Sequence, residues 1–214
     1  MMQNVLRSLC LAIGLFAVAV PAQAIDLSPY AGAGVGSFII DAGGGSKSAF
    51  GGYGMVGADF TPNIGAEVRF GGSGQTTGAM VVPSGNLCIA VATSCIPTIL
   101  TAPSPAKAQV NWFVAYLLKL QYPITPLFNV YGVVGGTTLK TTFNFIPPYT
   151  GGITTFNKTY TTLSYGGGFD YGLGNQWRVG MDATIYSNKA TTTAGATFSG
   201  LDVWGITATA RYGF

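Results

Sequence analysis

Charge is what this chain has least of. Of its 214 residues only 8% are Asp, Glu, Lys or Arg, where an ordinary soluble protein carries roughly a quarter. A soluble fold so poor in charge would lack a convincing surface. Histidine is absent altogether, which removes the commonest general base and metal ligand at neutral pH. Apolar residues make up 48% of the chain, yet no apolar run reaches the roughly 20 residues of a spanning helix. Cysteine is limited to Cys10, Cys88 and Cys95, too few to complete a zinc site without histidine. The net charge of +3 falls to +2 without Arg7, too small to argue for nucleic acid as a partner.

What the chain does have is glycine (32 residues) and aromatics (13%), spread along alternating segments. Residues 1–24 read as a secretory signal. Arg7 supplies the positive region, residues 9–20 the apolar core, and Ala22-Gln23-Ala24 the small-residue cleavage pattern. The mature chain, 25–214, is then expected to enter the periplasm as one domain. Period-two alternation, which places successive side chains on opposite faces of a strand, predicts eight strands near 27–41, 50–60, 64–75, 107–122, 128–142, 158–172, 177–188 and 204–214. The last is the clearest. Trp204, Ile206, Ala208, Ala210, Tyr212 and Phe214 share one face, and Gly205, Thr207, Thr209, Arg211 and Gly213 the other. In the fourth, Val110, Trp112, Val114, Tyr116, Leu118, Leu120 and Tyr122 are assigned to the apolar side, with Phe113 and Leu117 as exceptions opposite.

Connections after the second, fourth and sixth strands are short, built on Pro62-Asn63, Pro123 to Pro126 and Gly174-Asn175. The others are long. Short turns at one end and long loops at the other, with strands of about 9 to 11 residues in the hydrocarbon, predict an all-β fold: an eight-stranded antiparallel up-and-down transmembrane β-barrel with periplasmic turns and external loops.

The few charges inside the strands decide which face is the lumen. Asp59, Glu67, Arg69, Lys119, Asp170, Arg178, Asp182 and Arg211 all share a face with glycine and small polar residues. A Lys or Arg facing lipid at mid-bilayer would cost roughly 2–4 kcal/mol, so these eight are expected to point inward. Four acids against four bases imply an ion-pair network filling a lumen that side chains alone can fill. Phe60, Tyr122, Phe128, Tyr171, Trp177, Tyr212 and Phe214 fall near turn-side strand ends, as expected of interfacial aromatics, with Trp204 marking the outer edge.

Gly52 to Gly57 matches GxGxxG, but no helix-period segment follows it, so a dinucleotide site is rejected. Gly43 to Ser48 lacks the Gly-Lys-Ser/Thr core of a phosphate loop. No cofactor and no metal site are expected. Cys88 and Cys95 lie in the longest connection, 76–105, and should pair in an oxidising compartment. That connection carries Met80-Val-Val82, Leu87, Ile89, Val91 and Ile96, which reads either as a hairpin extending the third and fourth strands or as a contact surface for an external protein or apolar ligand.

Across most of the mature chain the pattern resembles the eight-stranded OmpA-like and opacity-type outer membrane β-barrels, a grouping often called the porin family. The signal segment, Gly51 to Phe60, Ile64 to Phe70 and Ala210 to Phe214 carry the likeness. The resemblance implies the bacterial outer membrane as location and the lipid bilayer as surroundings. It implies that the terminal aromatics, Tyr212 and Phe214, form a signal for the assembly machinery. Barrel enzymes of the familiar kinds use a histidine in the site, so none of their mechanisms carries over. With no residues beyond the last strand, no peptidoglycan-binding domain is expected. The implied function is a non-enzymatic surface barrel acting in envelope structure and recognition through its external loops. The alternatives are a small channel or apolar-ligand conduit of the OmpW kind, and a soluble lipocalin-like binder.

Overall fold

The computed structural model describes residues 27–41, 46–80, 85–87, 96–98, 104–145, 154–188 and 201–214. The expected signal segment 1–24 and the expected Cys88–Cys95 pair lie outside the described residues.

Each predicted strand segment is a strand. They are β1 (Ser28–Asp41), β2 (Ser46–Thr61), β3 (Ile64–Ser73), β7 (Ser104–Pro123), β8 (Phe128–Phe145), β9 (Thr154–Gly174), β10 (Trp177–Ser187) and β11 (Asp202–Gly213). Three short strands fall inside the connection 76–105: β4 (Thr76–Met80), β5 (Gly85–Leu87) and β6 (Ile96–Thr98). Neighbours pair antiparallel in the order β3-β2-β1-β11-β10-β9-β8-β7, and β3 pairs β7 to close the barrel. Closure leaves none of the eight barrel strands as a free edge, the condition for placing strands in lipid.

Alternation sorts the side chains between two faces. Val56, Val68, Leu118, Leu163, Met181 and Ile206 are exposed on the outer wall, whereas Glu67, Arg69, Lys119, Asp170, Asp182 and Arg211 are buried in the lumen. Glycine makes the inner packing possible by standing beside bulky neighbours. Tyr53 is flanked in register by Gly34 on β1 and Gly71 on β3. A Cβ on Gly34 would lie 2.5 Å from the Tyr53 ring carbon Cζ, so any larger residue there displaces the ring.

The turns follow local chemistry. Thr61 Oγ1 accepts hydrogen bonds from the Asn63 and Ile64 amides at 3.2 and 3.0 Å. Gly174 and Asn175 adopt φ of 81° and 52°, a left-handed region that glycine and asparagine tolerate best. Between β7 and β8 the Ile124 amide donates to the Phe128 carbonyl at 2.9 Å.

Two features differ from the sequence reading. First, the wall is taller on the loop side. β7, β8 and β9 run for 20, 18 and 21 residues, while β4, pairing with Ser104 to Ala108, agrees with the expected hairpin that extends the third and fourth strands. The alternation weakens there because outward positions such as Thr138, Lys140 and Thr142 need not be apolar. Second, a register shift falls between Val110 and Trp112. The bulge reverses the parity of β7, so Val110, expected on the apolar outer face, is fully buried inside, as are Ala106 and Ala108. A period-two template cannot see one inserted residue.

Candidate functional site: the lumen and its mouths

The lumen is stacked in three levels. Nearest the turns, Asp170 of β9 gathers three cations. Arg178 of β10 donates to its Oδ1 at 2.7 Å, Arg211 of β11 pairs with its Oδ2, and Lys119 Nζ of β7 stands 3.9 Å from the same oxygen. Lys119 also lies over the ring centres of Tyr131 and Tyr30 at 4.6 and 5.4 Å, within the range of a cation–π attraction. Strand order brings these residues together: β9, β10 and β11 are consecutive, and Arg178 sits directly opposite Arg211 in register. Two guanidiniums side by side repel unless a carboxylate lies between them, which is what Asp170 supplies.

At the middle level Arg69 bridges two carboxylates. Its Nε is 2.5 Å from Glu67 Oε1 and its Nη1 is 2.8 Å from Asp182 Oδ2. Tyr30 donates to Glu67 at 2.8 Å and Tyr53 to Asp182 at 2.8 Å. Thr207 satisfies the second oxygen of Asp182 at 2.8 Å. The Arg69 Nη1 group reaches Tyr186 at 3.2 Å and Thr184 at 3.3 Å, and its guanidinium lies 4.7 Å from the centre of the Tyr53 ring. Arg69 is 1% exposed. A buried ion that keeps this many partners meets the condition under which burial of charge is tolerated.

The third level, toward the loops, is mainly apolar, with the buried hydroxyls of Thr141 and Ser187 among its side chains. Phe113 packs at a tilt 4.6 Å from Tyr186 and 5.9 Å from Phe38, ring centre to ring centre. Ile40, Val110, Leu139, Leu201 and Val203 are fully or almost fully buried above them. Tyr160 closes this end, since its hydroxyl donates to the Leu201 carbonyl at 3.0 Å and accepts from the Leu201 amide at 2.9 Å.

Of the eight charged residues named from sequence, six are buried and joined in these clusters. Arg178 joins them while its side chain stays 34% exposed. Asp59 lines the turn-side mouth, its Oδ1 without a hydrogen-bond partner among the described residues. That mouth is a cavity of about 620 Å³ bordered by Tyr30, Asp59, Gln121, Arg178 and Arg211. Among the described residues no group of three His, Cys, Asp or Glu is placed to hold a metal ion.

The aromatics sort by position. Tyr122, Tyr171, Trp177 and Phe214 are exposed around the turn-side rim, and Phe60, Phe128 and Tyr212 are partly so. Trp177, Tyr212 and Phe214 contact edge-to-face at 5.2 and 5.5 Å. Trp204 is exposed near the opposite end of β11. Sequence reasoning placed Phe113 on the inward face of its strand but missed the other inner aromatics: Tyr30, Tyr53, Tyr131 and Tyr186. One signal was there to read, because Tyr30 shares its strand face with Gly32, Gly34 and Gly36, and Tyr53 shares its own with Gly51, Gly57 and Asp59.

Comparison with known proteins gives the same architecture. The family model described as an outer membrane protein β-barrel domain matches residues 8–214. The structure of Neisserial surface protein A, NspA, aligns at TM-score 0.51 with 12% identity, covering 87% of this chain and 97% of that one. The outer membrane protein OprG of Pseudomonas aeruginosa aligns at 0.50 with 13% identity, covering 87% and 96%. A major outer membrane protein from Thermus thermophilus aligns at 0.50 with 16% identity, covering 88% and 100%. Among curated proteins no sequence matches.

Proposed function

From the premise that this chain belongs to the outer membrane protein β-barrel domain family and resides in the outer membrane, we propose that it is a non-enzymatic surface barrel, closed along its axis, that supports the envelope and presents external loops for recognition. The observation that carries this reading is the filling of the lumen. Arg69, Lys119 and Phe113, one from each level, are each 1% exposed. An ion on the axis would have to displace Phe113 and Tyr186 and then break the pairs of Arg69. On this reading residues 1–24 direct export and are removed. Tyr212 and Phe214 engage the assembly machinery, and the rim aromatics sit at the inner interface. The longest connection, 76–105, offers the surface for an external protein or apolar ligand.

A narrow channel is the second reading. The cavity at the turn-side mouth favours it, since it leaves Arg178, the outermost cation of the Asp170 cluster, 34% exposed. Planar-bilayer recording of the mature protein separates the two. The closed barrel gives no steady single-channel steps, and Phe113→Ala, which thins the apolar level, introduces them or raises leak. Steady steps from the unmodified protein, lost on blocking the lumen, refute the closed reading.

A further inference from the structure

The outer surface of β7, β8 and β9 changes character partway up. Below, Leu118, Val134 and Leu163 are exposed and apolar. From Tyr122 at the turn-side rim to Trp112 is ten residues along β7. At about 3.3 Å per residue and a tilt near 40° this rises roughly 25 Å, the height of the apolar band on such barrels. Trp112 therefore stands at the outer lipid interface. Lys140 of β8 pairs with Trp112 in register on one side and with Thr159 of β9 on the other. Lys107 lies on the same outward face five residues higher on β7 and is exposed.

Between the lysines and the apolar wall lies a band of rings and hydroxyls. The Tyr116 ring lies across Gly136, whose Cβ it would meet at 2.5 Å. Its hydroxyl is 3.4 Å from Thr138 Oγ1, which is 2.9 Å from Thr161 Oγ1. Among the described residues no acid shares the outward face of β7, β8 or β9 with these lysines. Among the described residues β7 and β8 contain no Asp or Glu, and the one acid of β9, Asp170, is inside at the turn end. The loop-side carboxylates, Asp41 and Asp202, face each other across the β1–β11 pairing. The positive face and the acidic pair are on different strands of the rim.

We propose that this face binds a phosphate-bearing glycolipid of the outer leaflet. Acyl chains lie along the apolar wall, sugar rings pack on Trp112 and Tyr116 with hydroxyls against Thr138 and Thr161, and the phosphates are held by Lys140 and Lys107. One ligand of this class matches the whole sequence of surfaces from lipid to solvent, with charge where a headgroup phosphate would sit. A soluble polyanion would account for the lysines but not for their continuity with the apolar wall. This site is independent of whether the lumen conducts or the loops recognise a partner.

The test uses the mature protein in nanodiscs of phosphatidylcholine, probed with a diphosphoryl, hexa-acyl lipid A and read by retained lipid in native mass spectrometry. The expected result is saturable binding, weakened about ten-fold or more by K107Q/K140Q and by removing both phosphates from the lipid. K140Q should weaken it more than K47Q, which removes a lysine from β2 on another part of the rim. Heat-modifiable migration on gels confirms that each variant is folded. Wild-type affinity in K107Q/K140Q, equal affinity for the dephosphorylated lipid, or an equal loss in K47Q would each overturn the proposal. A deacylated phosphodisaccharide that binds as tightly as the intact lipid would also overturn it, in favour of a soluble anionic glycan.

Discussion

Replacing Arg69 with leucine tests the middle level of the lumen most directly. Arg69 neutralises Glu67 at 2.5 Å and Asp182 at 2.8 Å, and all three side chains are 3% exposed or less. Leucine fills part of the volume but leaves two carboxylates facing each other with only neutral donors, Tyr30, Tyr53 and Thr207. Removing one member of a buried ion pair costs about 3–5 kcal/mol because the remaining charge is uncompensated. The assay is equilibrium unfolding in urea from detergent micelles, followed by tryptophan emission. Two controls give the number its meaning. Arg178→Gln also removes an ion pair, but from a side chain 34% exposed, so roughly 1 kcal/mol or less is expected after solvent screening. The triple variant E67Q/R69L/D182N removes the stranded charges and should recover most of the deficit. If R69L costs under about 1 kcal/mol, or the triple variant is no better than R69L, then hydrophobic filling and not charge compensation holds this level together.

Three further outcomes follow from the geometry. Gly34→Ala pushes a methyl group into the Tyr53 ring and strains its bond to Asp182, so about 1–3 kcal/mol of stability is lost in the same urea assay. Gly54→Ala, on the outer face with no atom within 4 Å, is neutral or slightly stabilising because it restricts the unfolded chain. Tyr160→Phe removes both hydrogen bonds to Leu201, each of about 0.5–1.5 kcal/mol. Amide exchange at Leu201 and Val203 should quicken while exchange at Thr207 and Thr209 is unchanged.

The barrel was legible because lipid enforces a rule that sequence displays: an outward position in the bilayer is apolar. Arg69, Arg178 and Arg211 could be assigned to the lumen from parity alone. Their partners could not, since only register makes Asp170 the neighbour of both Arg178 and Arg211. Glu67 and Arg69 were an exception open to inspection, two residues apart on one strand and therefore side by side on one face. Val110 was misplaced because the bulge that turns it inward is a backbone event with no compositional mark. Taken alone, the inner tyrosines carry no such mark: a tyrosine in a barrel strand suits the interface equally well, and Tyr53 fits inside because Gly34 and Gly71 leave room for its ring.

The distribution of charge along the axis ties these levels to one another. The turn-side level holds Arg178, Arg211 and Lys119 around Asp170, with Asp59 at the mouth. The middle level holds Glu67 and Asp182 around Arg69 alone. The first is left with one excess positive charge and the second with one excess negative, so each is stabilised by the other across the short span bridged by Tyr30, which donates to Glu67 while the Arg211 guanidinium lies 5.1 Å from its ring centre. Tyr30 is therefore a joint between two unbalanced clusters. Tyr30→Phe keeps the ring under Arg211 and Lys119 but deletes the bond to Glu67. It should then cost only the hydrogen bond, about 1.5–3 kcal/mol for a charged acceptor, whereas Tyr30→Leu also removes the cation–π contacts and should cost more. Equal losses in the two variants would mean that the ring contributes packing alone, and that the two charged levels stand independently.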